Sequence, residues 1–113
     1  MHEYSIVQSL LDQCEEHAKV NNAKKITKVV LKIGILSGIE IDLLQTAFDT
    51  FKEETICHEA NLIINLQKIV VECNECNETS TLEKHEFLCP KCNSNNLIVV
   101  DGEDMFLMSL ELE

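Results

Sequence analysis

Three features of this 113-residue sequence predict an α+β fold: two amphipathic helical stretches, three stretches with strand-like alternation, and a doubled Cys-x-x-Cys motif between two of those strands. Assembled, they give a small three-stranded sheet covered by two helices, with the cysteine module inserted between two strands. The expected division is 1–71 plus 101–113 for the α+β domain and 72–100 for the insertion.

Residues 3–20 place Val7, Leu10, Leu11, Cys14 and Ala18 at three- and four-residue spacings, the signature of one buried helix face. Asp12, Gln13, Glu15, Glu16 and Lys19 occupy the other side. Asn21-Asn22 is the expected stop, with asparagine in place of the usual glycine. Cys14 reads as a small core residue. Residues 26–35 are rich in β-branched side chains and alternate as a strand. After the turn at Leu36-Ser37-Gly38, Asp42 is the expected N-cap of a second helix. Its stripe is Leu44, Ala47, Phe48 and Phe51, and it is expected to end near Glu54.

A second strand is expected over 62–72, running directly into Cys73. Leu97 to Val100 follows the turn-rich Asn93-Ser-Asn-Asn96 and is expected to pair with residues near 69–72. Asp101-Gly102 is a turn. Met105 to Leu112 then alternates Phe106, Met108, Leu110 and Leu112 against Leu107, Ser109 and Glu111. This last apolar strand has no helix of its own, so it needs the sheet already built by the two earlier strands.

The inserted stretch reads Cys73-Asn-Glu-Cys76, twelve residues, then Cys89-Pro-Lys-Cys92. Two such pairs can bring four thiolates to the corners of a tetrahedron, the arrangement of structural Zn²⁺ sites. Asn77 and Asn93 follow the second cysteine of each pair, where a left-handed backbone is commonly required and asparagine tolerates it. Four reduced cysteines, or two disulfides in a secreted fragment, are the other readings. A zinc ribbon of about thirty residues has too little core to fold unaided, so its folding and metal binding should be one event.

Charge and hydropathy narrow the functional classes. Formal net charge is -11, from 20 acidic residues against 9 lysines, with no arginine. Four thiolates around one Zn²⁺ would add about -2. A phosphate backbone would be repelled, and the commonest phosphate-clamping and base-reading side chain is missing, so nucleic acid is not an expected partner. No apolar run is long enough to cross a bilayer, and no secretory leader pattern opens the chain; the expected location is cytoplasmic. The three glycines, Gly34, Gly38 and Gly102, cannot build a phosphate-cradling loop. No spacing suggests a catalytic triad or paired carboxylates, so the composition fits a carrier, not an enzyme.

Met1-His2-Glu3 offers a second metal chemistry. The α-amine, the His2 backbone nitrogen and His2 Nδ1 can close a five- and a six-membered chelate ring, and the Glu3 backbone nitrogen can complete a plane. Four nitrogens in a plane suit Ni²⁺ or Cu²⁺ and not Zn²⁺. The competing reading is a solvated histidine at a frayed end. Among the other histidines, His17 reads as a surface residue near a helix C-terminus. Cys57-His58 are adjacent and so rarely face one way, and His85 lies between the cysteine pairs, where it could exchange with a thiolate.

The opening Met-His-Glu-Tyr-Ser ahead of an amphipathic helix, Gly34 before Ile-Leu-Ser, Phe48 and Phe51 in the second helix and the cysteine quartet together resemble the HypA family of hydrogenase nickel-incorporation proteins. The resemblance covers the whole length. It implies a nickel metallochaperone that supplies a maturing [NiFe]-hydrogenase large subunit, works with a HypB-family GTPase and, in some bacteria, helps supply urease. It implies nickel at Met1, His2 and Glu3, and zinc at Cys73, Cys76, Cys89 and Cys92. Some relatives carry a histidine directly after a cysteine pair; here Asn77 and Asn93 stand there. The alternative function is a zinc-ribbon adaptor that only mediates protein contacts, with His2 incidental.

Overall fold

A computed structural model describes residues 2–83 and 86–113, with His2 described by its backbone alone. The elements run α1 (His2–Val20), β1 (Ile26–Gly34), α2 (Ile41–Phe51), β2 (Asn61–Gln67), β3 (Ile69–Cys73), β4 (Thr79–Leu82), β5 (Leu97–Asp101) and β6 (Met105–Leu112). They form two three-stranded sheets, ordered β2-β1-β6 and β4-β3-β5. The chain divides into two compact units, Met1–Leu31 with Ile39–Asn65 and Phe106–Glu113, and Lys32–Gly38 with Leu66–Met105. Beside residues 72–100, the second unit takes in the ends of β1 and β2, the turn after β1, β3 and the start of β6.

In the first unit α1 buries the expected stripe of Val7, Leu10, Leu11, Cys14 and Ala18, while Asp12, Gln13, Glu16 and Lys19 face solvent. Its end is closed by Asn22 at φ 53. The Ala23 N–H reaches the Ala18 carbonyl at 2.9 Å and the Asn22 N–H the Lys19 carbonyl at 3.2 Å. That pair of bonds is a Schellman closure, with asparagine supplying the left-handed residue. α1 and α2 pack on one another. Leu44 and Phe48 of α2 are fully buried, each burial stabilising by about 1.5–3 kcal/mol.

Two expectations for α2 are corrected. Glu40 is the N-cap in place of Asp42, and it makes no side-chain cap bond. Instead the Glu3 carboxylate reaches across from α1 and accepts the Glu40 N–H at 3.0 Å. Asp42 sits in the first turn, where a negative charge still favours the helix dipole. The helix ends at Phe51, short of Glu54. Thr55 explains the early stop: its N–H and Oγ1 both bond the Lys52 carbonyl, at 2.9 and 2.7 Å, and fold the chain into a turn instead of another helical turn.

The single strand expected over 62–72 is two strands in two sheets. Leu62 is buried on an even position, whereas Ile69, Val71 and Cys73 are buried on odd ones, so the alternation changes phase. The change falls at Lys68, whose carbonyl accepts Gln67 Nε2 at 3.0 Å. Gly102 lies against the same carbonyl: a Cβ there would stand 2.8 Å from it.

The second unit pairs β3 antiparallel with β4 and with β5. Leu97, Ile98 and Val99 face Cys73, Glu72 and Val71 as expected, with an irregularity between Val70 and Val71. β4 was not expected. Its core is small, with Ile69, Val71 and Leu82 buried and Leu36, Leu97 and Val99 partly so. The return past Gly102, at φ 104, is fastened by Asp101, which accepts its N–H at 2.8 Å and pairs with Lys32 at 2.8 Å. Lys32 first, then that N–H, hold the Asp101 carboxyl below its ordinary range.

Gly34 lies hard against the backbone of Gly102. A Cβ on it would lie 2.1 Å from both the carbonyl carbon and oxygen of Gly102. Its N–H bonds the Asp104 carbonyl at 2.9 Å, so the strand cannot simply retreat. Gly34→Ala should therefore destabilise the second unit by about 2–3 kcal/mol, read as a lower urea midpoint. An unchanged midpoint would show that the contact is not tight.

Candidate metal centre

The four cysteines come from two knuckles of matching construction. In the first, the Asn77 N–H bonds the Cys73 carbonyl at 2.9 Å, and the Glu75 N–H points at Cys73 Sγ at 3.4 Å. In the second, Asn93 bonds the Cys89 carbonyl at 2.8 Å, and the Lys91 N–H points at Cys89 Sγ at 3.4 Å. Asn77 and Asn93 stand at φ 60 and 66, the left-handed backbone expected of both. β3 delivers the first knuckle, and Cys89 N–H is tied to the Ser94 carbonyl at 2.8 Å. The turns are also laced together by asparagine: Asn74 Nδ2 donates to Asn96 Oδ1 at 3.0 Å, and Asn96 Nδ2 to Glu75 at 3.4 Å.

All four Sγ atoms lie within 4.8 Å of one another, with Cys73 3.6 Å from Cys92 and Cys76 3.7 Å from Cys89. A tetrahedron of sulfurs about 2.3 Å from a central Zn²⁺ has edges of about 3.8 Å. The donor set therefore fits zinc in both chemistry and span. Among the described residues it is the one such cluster of cysteine, histidine and carboxylate ligands.

Four thiols this close cannot all ionise without a cation between them. Burial works against the Cys89 thiolate, but the N–H groups of Cys92 and Lys91 outweigh it and bring that thiol down to about 7. At Cys92 the Ser94 N–H favours the thiolate, yet desolvation and the neighbouring sulfurs push the thiol up to about 12. One group ready to ionise beside one that resists is the behaviour of crowded like charges. A divalent cation removes the conflict, and its binding releases the remaining protons.

Glu3 is in the first turn of α1, where its carboxylate caps the start of α2. Tyr4 beside it stacks edge-on against Phe51, with ring centroids 4.6 Å apart. These two contacts anchor the start of α1. Local sequence patterns carry no sign of them, since they join residues nearly forty or more positions apart. Met1, the His2 side chain and His85 lie outside the described residues. His17 and His58 are exposed, whereas Cys57 is wholly buried, so Cys57 and His58 do face opposite ways.

With this geometry in place, comparison with known proteins is decisive. A family model described as hydrogenase/urease nickel incorporation, metallochaperone, hypA, matches residues 1–112. The chain belongs to the HypA family. It is 52% identical over 113 residues to the hydrogenase maturation factor HypA of Shewanella halifaxensis, covering 100% of this chain and 98% of that one. The HypA of Aquifex aeolicus is likewise 52% identical, with the same coverage. The solution structure of the Ni metallochaperone HypA from Helicobacter pylori superposes with a TM-score of 0.71 at 43% identity, over 97% of this chain and 96% of that one. A second HypA solution structure gives 0.78 at 43% identity, over 100% and 97%.

Replacing one sulfur leaves a buried, incomplete site. Cys73→Ala should drop zinc content from about one per chain towards none and broaden the amide NMR signals of the second unit, while α1 and α2 keep theirs because their core lies elsewhere. Full zinc retention in this variant would contradict a four-cysteine site.

Proposed function

We propose that this HypA-family chain carries Ni²⁺ at its N-terminus and hands it to a maturing [NiFe]-hydrogenase large subunit, with Zn²⁺ held permanently by Cys73, Cys76, Cys89 and Cys92. The observation that carries the reading is the family match over residues 1–112, which includes Met1-His2-Glu3. Nickel is the cargo. Its ligands would be the Met1 amine, the His2 amide and Nδ1, and the Glu3 amide.

The start of α1 suits this chemistry in two ways. Because the helix begins at His2, the amides of His2 and Glu3 have no carbonyl four residues back, so metal binding there breaks no α-helical bond. Deprotonating both amides also cancels the two charges of Ni²⁺, so the positive end of the helix dipole does not repel the complex. The Glu3 carboxylate stays with Glu40 throughout, since only its backbone nitrogen ligates.

Handover needs partners, and we assign a HypB-family GTPase to the energy-dependent step, because no glycine-rich phosphate loop exists in this sequence. Delivery towards urease maturation belongs to the same reading, as does a cytoplasmic, non-enzymatic carrier role. The acidic surface would speed encounter with basic patches on such partners.

Nickel titration of the native chain against a version with a few residues added before Met1 tests the site. The native chain should bind about one Ni²⁺, with affinity rising with pH as the amine and imidazole lose protons, and the extended chain should bind at least tenfold more weakly. Equal affinity would overturn the N-terminal site and leave the zinc-ribbon adaptor as the better reading.

A further inference from the structure

The buried stripe of α1 runs out before the helix does. Val7 is its first fully buried member, and Tyr4, one turn earlier on the same face, remains 47% exposed. The start of the helix therefore has little core to hold it. Two contacts reach it from α2: the Glu40 N–H meets the Glu3 carboxylate at 3.0 Å, and the Phe51 ring meets Tyr4 at 4.6 Å between centroids and 61° between planes. They come from opposite ends of α2, since Glu40 caps its start and Phe51 is its last residue. Beside the two rings lies an open groove of about 210 Å³, lined by Leu43, Thr46, Ala47 and Thr50. Phe51 is thus the one ring against which Tyr4 packs among the described residues.

We propose, on the footing of the nickel site put forward above at Met1, His2 and Glu3, that Tyr4 is a positioning residue for nickel. Its ring, seated on Phe51, keeps the peptide nitrogens of His2 and Glu3 in one arrangement before the ion arrives. Tyr4 contributes no ligand. It acts through the peptide bond that joins it to Glu3, the last of the proposed ligands.

The energetics follow from preorganisation. A chelate closed on consecutive backbone nitrogens needs them fixed relative to one another, and an unfastened first turn samples many arrangements. Only the fraction of molecules already arranged binds, so the apparent affinity falls in proportion to that fraction. An edge-on aromatic pair contributes enough beyond simple burial to change such a fraction about two- to tenfold. Ligation by the phenol itself is the weaker reading, because four nitrogens already fill the plane that Ni²⁺ prefers. Positioning uses the ring alone, so phenylalanine should replace tyrosine without loss.

The test titrates Ni²⁺ into the zinc-loaded chain in competition with a chromogenic chelator, with zinc content and melting temperature recorded for each variant. Tyr4→Leu and Phe51→Leu should each weaken nickel binding about two- to tenfold. The double variant should lose no more than either alone, since both changes remove the same contact. Tyr4→Phe should bind as the native chain does. If Tyr4→Leu does not fold, Phe51→Leu and Tyr4→Phe decide. A lower melting temperature with native nickel affinity would show packing alone and overturn the proposal. So would additive losses in the double variant, or a Tyr4→Phe that binds as weakly as Tyr4→Leu. The chain extended before Met1 separates this role from the site itself. Undiminished affinity in the extended chain removes the N-terminal site and the role of Tyr4 with it, whereas weak binding there with native affinity in the Leu variants removes the role of Tyr4 only.

Discussion

Mutual repulsion among four sulfurs held within 4.8 Å is the constraint on which the second unit depends. Its apolar core amounts to Ile69, Val71 and Leu82 with a few half-covered neighbours, far less than a free-standing domain needs. The knuckles nevertheless invest two left-handed asparagines, paired N–H groups aimed at sulfur and a lattice of asparagine bonds in placing those atoms. A cation at its centre would remove that repulsion. Metal binding and closure of this unit are accordingly expected to be one process.

In the proposed reading the two metal chemistries divide along the chain because they need opposite things. Zinc fixed for structure needs soft, saturating sulfur ligands, closed to solvent exchange; four cysteines leave no open position. A transferable ion needs ligands that protonation can release, and the proposed amine, imidazole and two amides would supply them. α1 begins at His2, so the first turn of a helix stands at the proposed site. The Glu3 bond to Glu40 and the stacking of Tyr4 on Phe51 then hold that turn against α2.

What the sequence disclosed was whatever repeats locally. The stripe of α1, the fourfold cysteine spacing, the two left-handed asparagines and the pairing of 97–99 with 71–73 were all legible, because period, ligand spacing and turn chemistry act over a few residues. The break at Lys68 was written in the sequence as a phase change, but a run of apolar residues on both sides hid it. β4, with only Leu82 buried, carries almost no pattern. Asp42 looked like a cap because local rules cannot see Glu3 arriving from another helix. Cys14 was legible too, since its place on the stripe of α1 puts it in the core, where it is wholly buried.

Zinc in sulfur and nickel in nitrogen within one chain is the central proposal, and X-ray absorption on protein loaded with both metals tests it directly. The zinc edge should fit four sulfurs at about 2.3 Å, and the nickel edge should show a planar set of light-atom ligands with no sulfur. Sulfur in the nickel shell, or nitrogen replacing sulfur around zinc, would contradict it.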